Sequence, residues 1–127
     1  RRSLAKYHSG GLWATSCCGH PRPGEGTLAA AHRRLREELG ARATLRFAFH
    51  ARYCTSLPNG LTENELVYVF FGALRSGLAL NPDEVSEVKW LTLAQLKADL
   101  DRRPKRYAYW LRYYLKNHFA AIRRAAV

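Results

Sequence analysis

The sequence predicts a single α/β layered domain. A helix-period pattern lies at residues 27–39, two strand-like runs at 43–55 and 62–74 flank a turn signal, and further helical patterns close the chain. With 127 residues, 47% hydrophobic and 24% charged, the chain can bury one core. No internal repeat or low-complexity linker divides residues 1–127.

The first apolar run, Gly11 to Cys18, has strand-like composition and stops at Gly19-His20-Pro21. Pro21 to Gly26 is rich in Pro and Gly and reads as a loop. From Thr27 to Leu39, residues Leu28, Ala31, Leu35 and Leu39 make one apolar stripe, and Gly40 is a natural C-terminal stop. Residues 43–55 and 62–74 form the two strands of a hairpin around Pro58-Asn59-Gly60. Asn81-Pro82-Asp83 makes another turn, and residues 85–91 alternate imperfectly between apolar and polar. Thr92 caps a short helix to Leu100. Pro104 opens a last helix, with Tyr107, Leu111, Tyr114, Leu115, His118 and Ile122 on one face.

A formal net charge of +11 favours an anionic partner, whether nucleic acid, acidic lipid or a phosphorylated small molecule. No apolar run approaches the roughly 18 residues of a membrane helix, and no signal-peptide pattern is visible. Cys17, Cys18 and Cys54 are an odd number, and adjacent cysteines are poor disulfide partners. A reduced, cytoplasmic protein is the expectation. The chain opens with Arg1-Arg2 and contains no Met, which predicts a natural start further upstream.

Three motifs carry chemistry. Gly19, Glu25, Arg33, Glu37, Glu38 and Gly40 fall at the spacing G-x5-E-x7-R-x3-E-E-x-G. By spacing alone, Arg33/Glu37 and Arg34/Glu38 are also ordinary i,i+4 ion pairs on a solvated helix face. The wider pattern resembles the Nudix box, a loop–helix motif whose glutamates hold divalent metals near a diphosphate. Arg34 stands where Nudix hydrolases carry a Glu. The exchange weakens a hydrolytic metal cluster and suits a site that holds a diphosphate intact. The second motif is Ser16-Cys17-Cys18-Gly19-His20-Pro21. Strand alternation points its two cysteines to opposite sides, so only one enters a pocket; the plain alternative is two small buried residues. The third is Glu63-Asn64-Glu65. Two carboxylates on one strand face need a cation or a raised pKa, unless they edge into solvent. The apolar continuation Val67 to Phe71 predicts a central strand.

Together, the words Trp13 to Pro21, Arg33 to Gly40, Arg52-Tyr53 and Glu63 to Glu65 resemble the type I isopentenyl diphosphate isomerases. The similarity runs from Arg1 to about Tyr114. It implies a Nudix-like α/β/α sandwich with a mixed β-sheet, its N-terminal part missing from this chain. It also implies movement of a double bond in a five-carbon diphosphate, from isopentenyl to dimethylallyl diphosphate. Cys18 matches the family's active-site cysteine, Glu65 its glutamate and Tyr53 the tyrosine supporting that glutamate. Trp110 matches a tryptophan facing a carbocation, for which an indole face is a good partner; core packing is the plain alternative. His20, Glu63 and Glu65 match ligands of a divalent metal, with Mn²⁺, Mg²⁺ or Zn²⁺ suited to mixed N/O ligation. Two further family histidines lie upstream of the matched region. His8, His32, His50 and His118 do not occupy those positions and read as ordinary residues. Glu38 matches a carboxylate associated with a second Mg²⁺, and Arg2, Lys6 and Arg34 match residues that hold the diphosphate.

With three protein ligands, an octahedral ion keeps several waters, so weak binding is expected. One of the two glutamates is then expected to have a raised pKa, and an uncovered sheet edge or apolar patch to favour self-association. The expected partner is the small diphosphate substrate, with no nucleic acid and no membrane. Two rival readings stand beside this one. A Nudix hydrolase of a nucleoside diphosphate derivative is disfavoured by Arg34, Cys18 and the Glu63/Glu65 pair. A basic RNA-binding module is supported by the +11 charge and seven tyrosines, but no RNA-binding motif accompanies them.

Overall fold

A computed structural model describes residues 1–57 and 59–126. Pro58 of the expected Pro58-Asn59-Gly60 turn lies outside the described residues. The elements run α1 (Thr27–Leu39), β1 (Ala43–Ser56), β2 (Thr62–Leu74), α2 (Leu93–Arg102), a 3₁₀ turn (Pro104–Arg106), α3 (Tyr109–Asn117) and α4 (Phe119–Ala125).

β1 and β2 form an antiparallel hairpin. Its register shifts once: Phe47 faces Phe70, but Phe49 faces Val69, which makes Ala48 an additional residue in β1. Partners that neighbour each other on β2 lie on opposite faces, so the bulge exchanges the two faces of β1. Before it, Ala43 and Leu45 join Leu74 against Leu35 and Leu39 of α1, together with Ala41 and Val85. After it, Phe49, Ala51 and Tyr53 join Val67, Val69 and Phe71 against Trp110, Leu111, Tyr114 and Leu115 of α3 and Ile122 of α4. Helices therefore cover opposite faces of the hairpin, which is the expected α/β/α layering. The mixed sheet is less developed than expected. Among the described residues the regular sheet has two strands, and parallel pairing is confined to the bridge between Trp13 and Tyr107.

The run Gly11 to Cys18 is extended without becoming a strand. Trp13 donates to Arg106 O at 2.8 Å and accepts from Ala108 N at 2.8 Å, but no ladder continues beside it. β2 is likewise an edge among the described residues, not the central strand its composition predicts. Its outer face leaves Leu66 and Tyr68 exposed beside Phe47, with the Phe47 and Tyr68 rings 6.0 Å apart. Residues 85–91 form no strand. Val85 alone is buried there, bridging to Arg2, and Trp90 is 76% exposed.

The helices follow local chemistry. Thr92 and Gln95 make a capping box at the start of α2. The last helical pattern breaks at His118, whose φ of −129° is not helical and whose ring stacks on Phe49 with centroids 4.7 Å apart. The expected face is nonetheless kept: Tyr107, Leu111, Tyr114, Leu115 and Ile122 are buried and His118 is half-buried. In α1, Leu35 and Leu39 are buried as expected, while Leu28 is exposed.

Gly40 ends α1 at φ 58°, its N–H bonding back to Arg36 O. A Cβ there would lie 2.6 Å from the backbone oxygen of Ala79. Left-handed backbone costs a non-glycine residue about 1–2 kcal/mol, and the collision adds to it. Gly40→Ala is expected to lower unfolding free energy by at least that amount in urea titration. An unchanged midpoint would contradict the cap geometry.

Candidate active site

The bulge fixes where the acidic pair points. Beyond it, Tyr53 faces Glu65 and Thr55 faces Glu63, on the sheet face that packs against α3. Glu63 and Glu65 are both half-buried, whereas Thr62, Asn64 and Leu66 are exposed. Burial, followed by the charge of Glu65, pushes the Glu63 carboxyl above its ordinary range, with the Tyr53 hydroxyl pulling the other way. Glu63 Oε2 is buried and has no hydrogen-bond partner. Burial also raises the Tyr53 pKa, reinforced by Tyr114, Glu63 and Glu65.

The extended run from Trp13 crosses this face and separates its two cysteines. Cys17 packs with the Leu35 and Leu39 cluster on the α1 side, Cys18 with the Tyr53 and Trp110 cluster. Burial, then Glu38, pushes the Cys17 thiol up to about 12. Burial and Glu38 raise Cys18 as well, opposed by Arg2 and Lys6. Both cysteines line one small cleft with Arg2, Glu38 and Glu84, so the expectation that only one of them enters a pocket does not hold there: the two pack on different clusters but border the same narrow space. His20 stands two residues beyond Cys18, and its Nε2 lies 2.9 Å from Glu65 Oε1.

Arg2 is buried in this cleft. Its Nη1 lies 3.6 Å from Cys18 Sγ, its Nη2 donates to His8 O, and its guanidinium sits 5.0 Å from the Trp110 ring centroid. Trp110 is 3% exposed, and its indole N–H reaches Thr15 Oγ1 at 3.4 Å. It is thus a core residue that also presents a ring face to a cation.

The Nudix-like box forms a dense ion-pair network. Arg33 donates to Glu25 and Glu37 and ties down the loop through His20 O. Arg34 gives Nη1 to Glu37 at 2.6 Å and Nη2 to Glu38 at 2.6 Å, and Nη2 also lies 3.2 Å from Glu84. Its side chain lies against Gly19, where a Cβ would come within 2.6 Å of Arg34 Nε. Glu38 is 5% exposed; burial raises its pKa and Arg34 lowers it. Lys6 pairs with Glu84.

The residues singled out in the sequence thus come together in three groups. Cys18, Tyr53, Trp110 and Arg2 pack around one cluster. Glu63 and Glu65 share a face, with His20 reaching Glu65. Arg34, Glu38 and Lys6 meet through carboxylates. The donors offered to a metal suit a divalent cation in kind: two carboxylates, one with a spare buried oxygen, and an imidazole. Among the described residues, however, no three His, Cys, Asp or Glu side chains converge closely enough to hold an ion. Glu84 is the residue that sequence reasoning missed. It follows Asp83 in the turn after Asn81, 78 positions from Lys6, and no local pattern singles it out.

The NUDIX domain family model matches residues 1–114. The chain is 49% identical to isopentenyl-diphosphate Delta-isomerase 2 of Aromatoleum aromaticum over 111 residues, 87% of this chain and 59% of that protein. It is 45% identical over 125 residues to the isopentenyl-diphosphate Delta-isomerase of Cereibacter sphaeroides, covering 96% of this chain and 71% of that protein. The corresponding protein of Pectobacterium atrosepticum is 44% identical over 110 residues, 87% of this chain and 62% of that protein. The chain therefore belongs to the isopentenyl-diphosphate Delta-isomerase family of the Nudix superfamily. It spans 59% to 71% of the length of these relatives. No helix among the described residues is long and apolar enough to cross a membrane.

The Arg33–Glu25 pair makes a pH prediction. The hydrogen bond from Arg33, then that from Arg22 N, lowers the Glu25 pKa from 4.5 to about 2. A depressed carboxylate pKa stabilises the fold above the unfolded value and loses that contribution as pH falls through the folded one. Glu25→Gln should therefore be less stable than the parent at pH 7, with the difference closing between pH 4.5 and about 2. Thermal melts across that range give the measurement; a gap independent of pH would exclude the ion pair as its cause.

Proposed function

We propose that this chain interconverts isopentenyl and dimethylallyl diphosphate by protonating one carbon of the alkene and removing a proton from another. The observation that carries the reading is the half-buried Cys18 thiol, packed on the cluster of Trp110 and Tyr53 within reach of Arg2 and beside the Glu63/Glu65 face, its pKa raised by burial. A neutral alkene is a poor base, and protonating it needs an acid held close and kept dry. A thiol whose pKa is raised by burial keeps its proton for that purpose. The relatives that match the chain carry the isomerase name, which supports the same reading.

Trp110 offers the ring face for positive charge developing on the substrate, and its contact with Arg2 shows that a cation fits against the ring. Tyr53 stands opposite Glu65 in the hairpin, and its hydroxyl lowers the pKa of neighbouring Glu63, which places it to support the acidic pair. Arg2, Lys6 and Arg34 supply positive charge for the diphosphate. A divalent metal, Mg²⁺, Mn²⁺ or Zn²⁺, would be held by His20, Glu63 and Glu65, with Glu38 serving a second Mg²⁺. Bound there, it would neutralise the paired carboxylates and polarise groups nearby. The spare Glu63 Oε2 and its raised pKa fit a carboxylate pair that lacks its counter-ion. Diphosphate hydrolysis is less well supported, because Arg34 stands where a Nudix hydrolase carries a metal-binding glutamate, and its guanidinium engages Glu37.

In an isopentenyl diphosphate conversion assay, Cys18→Ala should abolish turnover while Cys17→Ala keeps most of it. Equal losses in both variants would remove Cys18 from its role, and phosphate release from nucleoside diphosphates would favour the hydrolase. Mn²⁺ titration by calorimetry checks the metal reading. Binding should be weaker than roughly micromolar, since three protein donors leave much of an octahedral shell to water, and it should disappear in Glu63→Gln. Tight binding that survives Glu63→Gln would place the ion elsewhere.

A further inference from the structure

Resting on the diphosphate reading above, we propose that Glu84 is a positioning residue that holds Lys6 and Arg34 in register to receive the diphosphate. Lys6 sits in an irregular stretch, residues 3–10, with no helix or strand to fix it. Arg34 sits on α1. Glu84 is the side chain that joins them: its Oε2 takes the Lys6 ammonium and lies 3.2 Å from Arg34 Nη2. Its backbone oxygen also accepts from Ser3 N at 3.0 Å, and neighbouring Val85 bridges to Arg2. One residue thus anchors the stretch carrying Arg2 and Lys6 by both main chain and side chain.

The surroundings distinguish a positioning carboxylate from a surface ion pair. Lys6, Arg34 and Glu84 side chains are 16%, 17% and 22% exposed, so the contact is largely shielded from water. Glu84 and Cys18 line the same cleft. An ammonium has three donors and a guanidinium five. Glu84 occupies one donor of Lys6 and shares Nη2 of Arg34 with Glu38, leaving Lys6 with donors free for phosphate oxygens. A carboxylate in an anion site repels the ligand, but a long lysine on an irregular segment is poorly placed without an anchor. The shielded contact to both cations makes anchoring the larger effect.

The test is calorimetric binding of inorganic diphosphate to the intact chain and its variants, with isomerisation kinetics alongside. Glu84→Gln should weaken diphosphate binding on the order of tenfold, the scale of one charge-assisted hydrogen bond. Glu84→Asp, which keeps the charge, should recover part of it. In turnover, the loss should fall on KM rather than on kcat. Because Glu84 acts through Lys6, Glu84→Gln combined with Lys6→Ala should be less than additive. Binding by Glu84→Gln that is unchanged, or tighter as simple repulsion requires, overturns the proposal. So does additivity with Lys6→Ala, or an equal loss in Glu84→Gln and Glu84→Asp. If Lys6→Ala and Arg34→Ala both bind like the parent, the diphosphate reading falls and the proposal with it. If they weaken binding and Glu84→Gln does not, only the positioning role falls. Should Glu84→Gln fail to fold, Glu84→Asp runs the same cycle with Lys6→Ala, where additivity again overturns the role.

Discussion

The register shift at Ala48 governs how this chain is built. A regular hairpin buries the same alternating positions from end to end, and side-chain period 2 leaves no way to change faces along one strand. Inserting one residue in β1 turns Ala43 and Leu45 toward α1 and Phe49, Ala51 and Tyr53 toward α3 and α4. β2, without an insertion, presents Leu74 to one side and Val67, Val69 and Phe71 to the other. Two cores on opposite faces share one hairpin as a result. The carboxylates follow from the same shift, since Glu63 and Glu65 are in phase with Val67 and therefore share its face with Tyr53.

That arrangement brings polar chemistry to the end of an apolar layer. Tyr53 is flanked by Tyr109, Tyr113 and Tyr114, with centroids 5.6 to 6.3 Å away. Such a wall excludes water from the inner side of the Glu63/Glu65 pair and raises the cost of burying two charges there. The other side carries Arg2 and the Arg34–Lys6 group, the latter paired with Glu37, Glu38 and Glu84. On the proposed function, a half-buried acid pair and these cations near Cys18 suit an anionic ligand whose reacting carbons stay dry while its charged end is gripped.

Much of this was legible in the residues. α1 has the bounds predicted from its stripe and its glycine stop, and β2 matches 62–74. The packing of Cys17 and Cys18 on separate clusters was readable from alternation because the run stays extended even without a ladder, but not that both border one cleft. The less legible parts depend on contacts distant in sequence. Composition could not reveal that Gly11 to Cys18 lacks a continuous strand partner, or that β2 is an edge, because apolar residues pack equally well under helices. His118 interrupts the last helix through stacking on Phe49, a contact between positions 69 apart, so helical periodicity continued past the break.

The ion pairs show the same division more sharply. Arg33–Glu37 and Arg34–Glu38 follow from i,i+4 spacing and require nothing beyond a helix. Spacing alone assigns them little energy, because exposed pairs are weak. The fold changes their weight by closing Glu84 over Arg34 and Lys6, leaving the arginine side chain 17% exposed against Gly19. A local pair thereby becomes part of a shielded network linking the N-terminal stretch, the box helix and the turn after Asn81. Glycine at 19 is then needed for space as well as for the motif: any side chain there would displace the guanidinium that the network converges on.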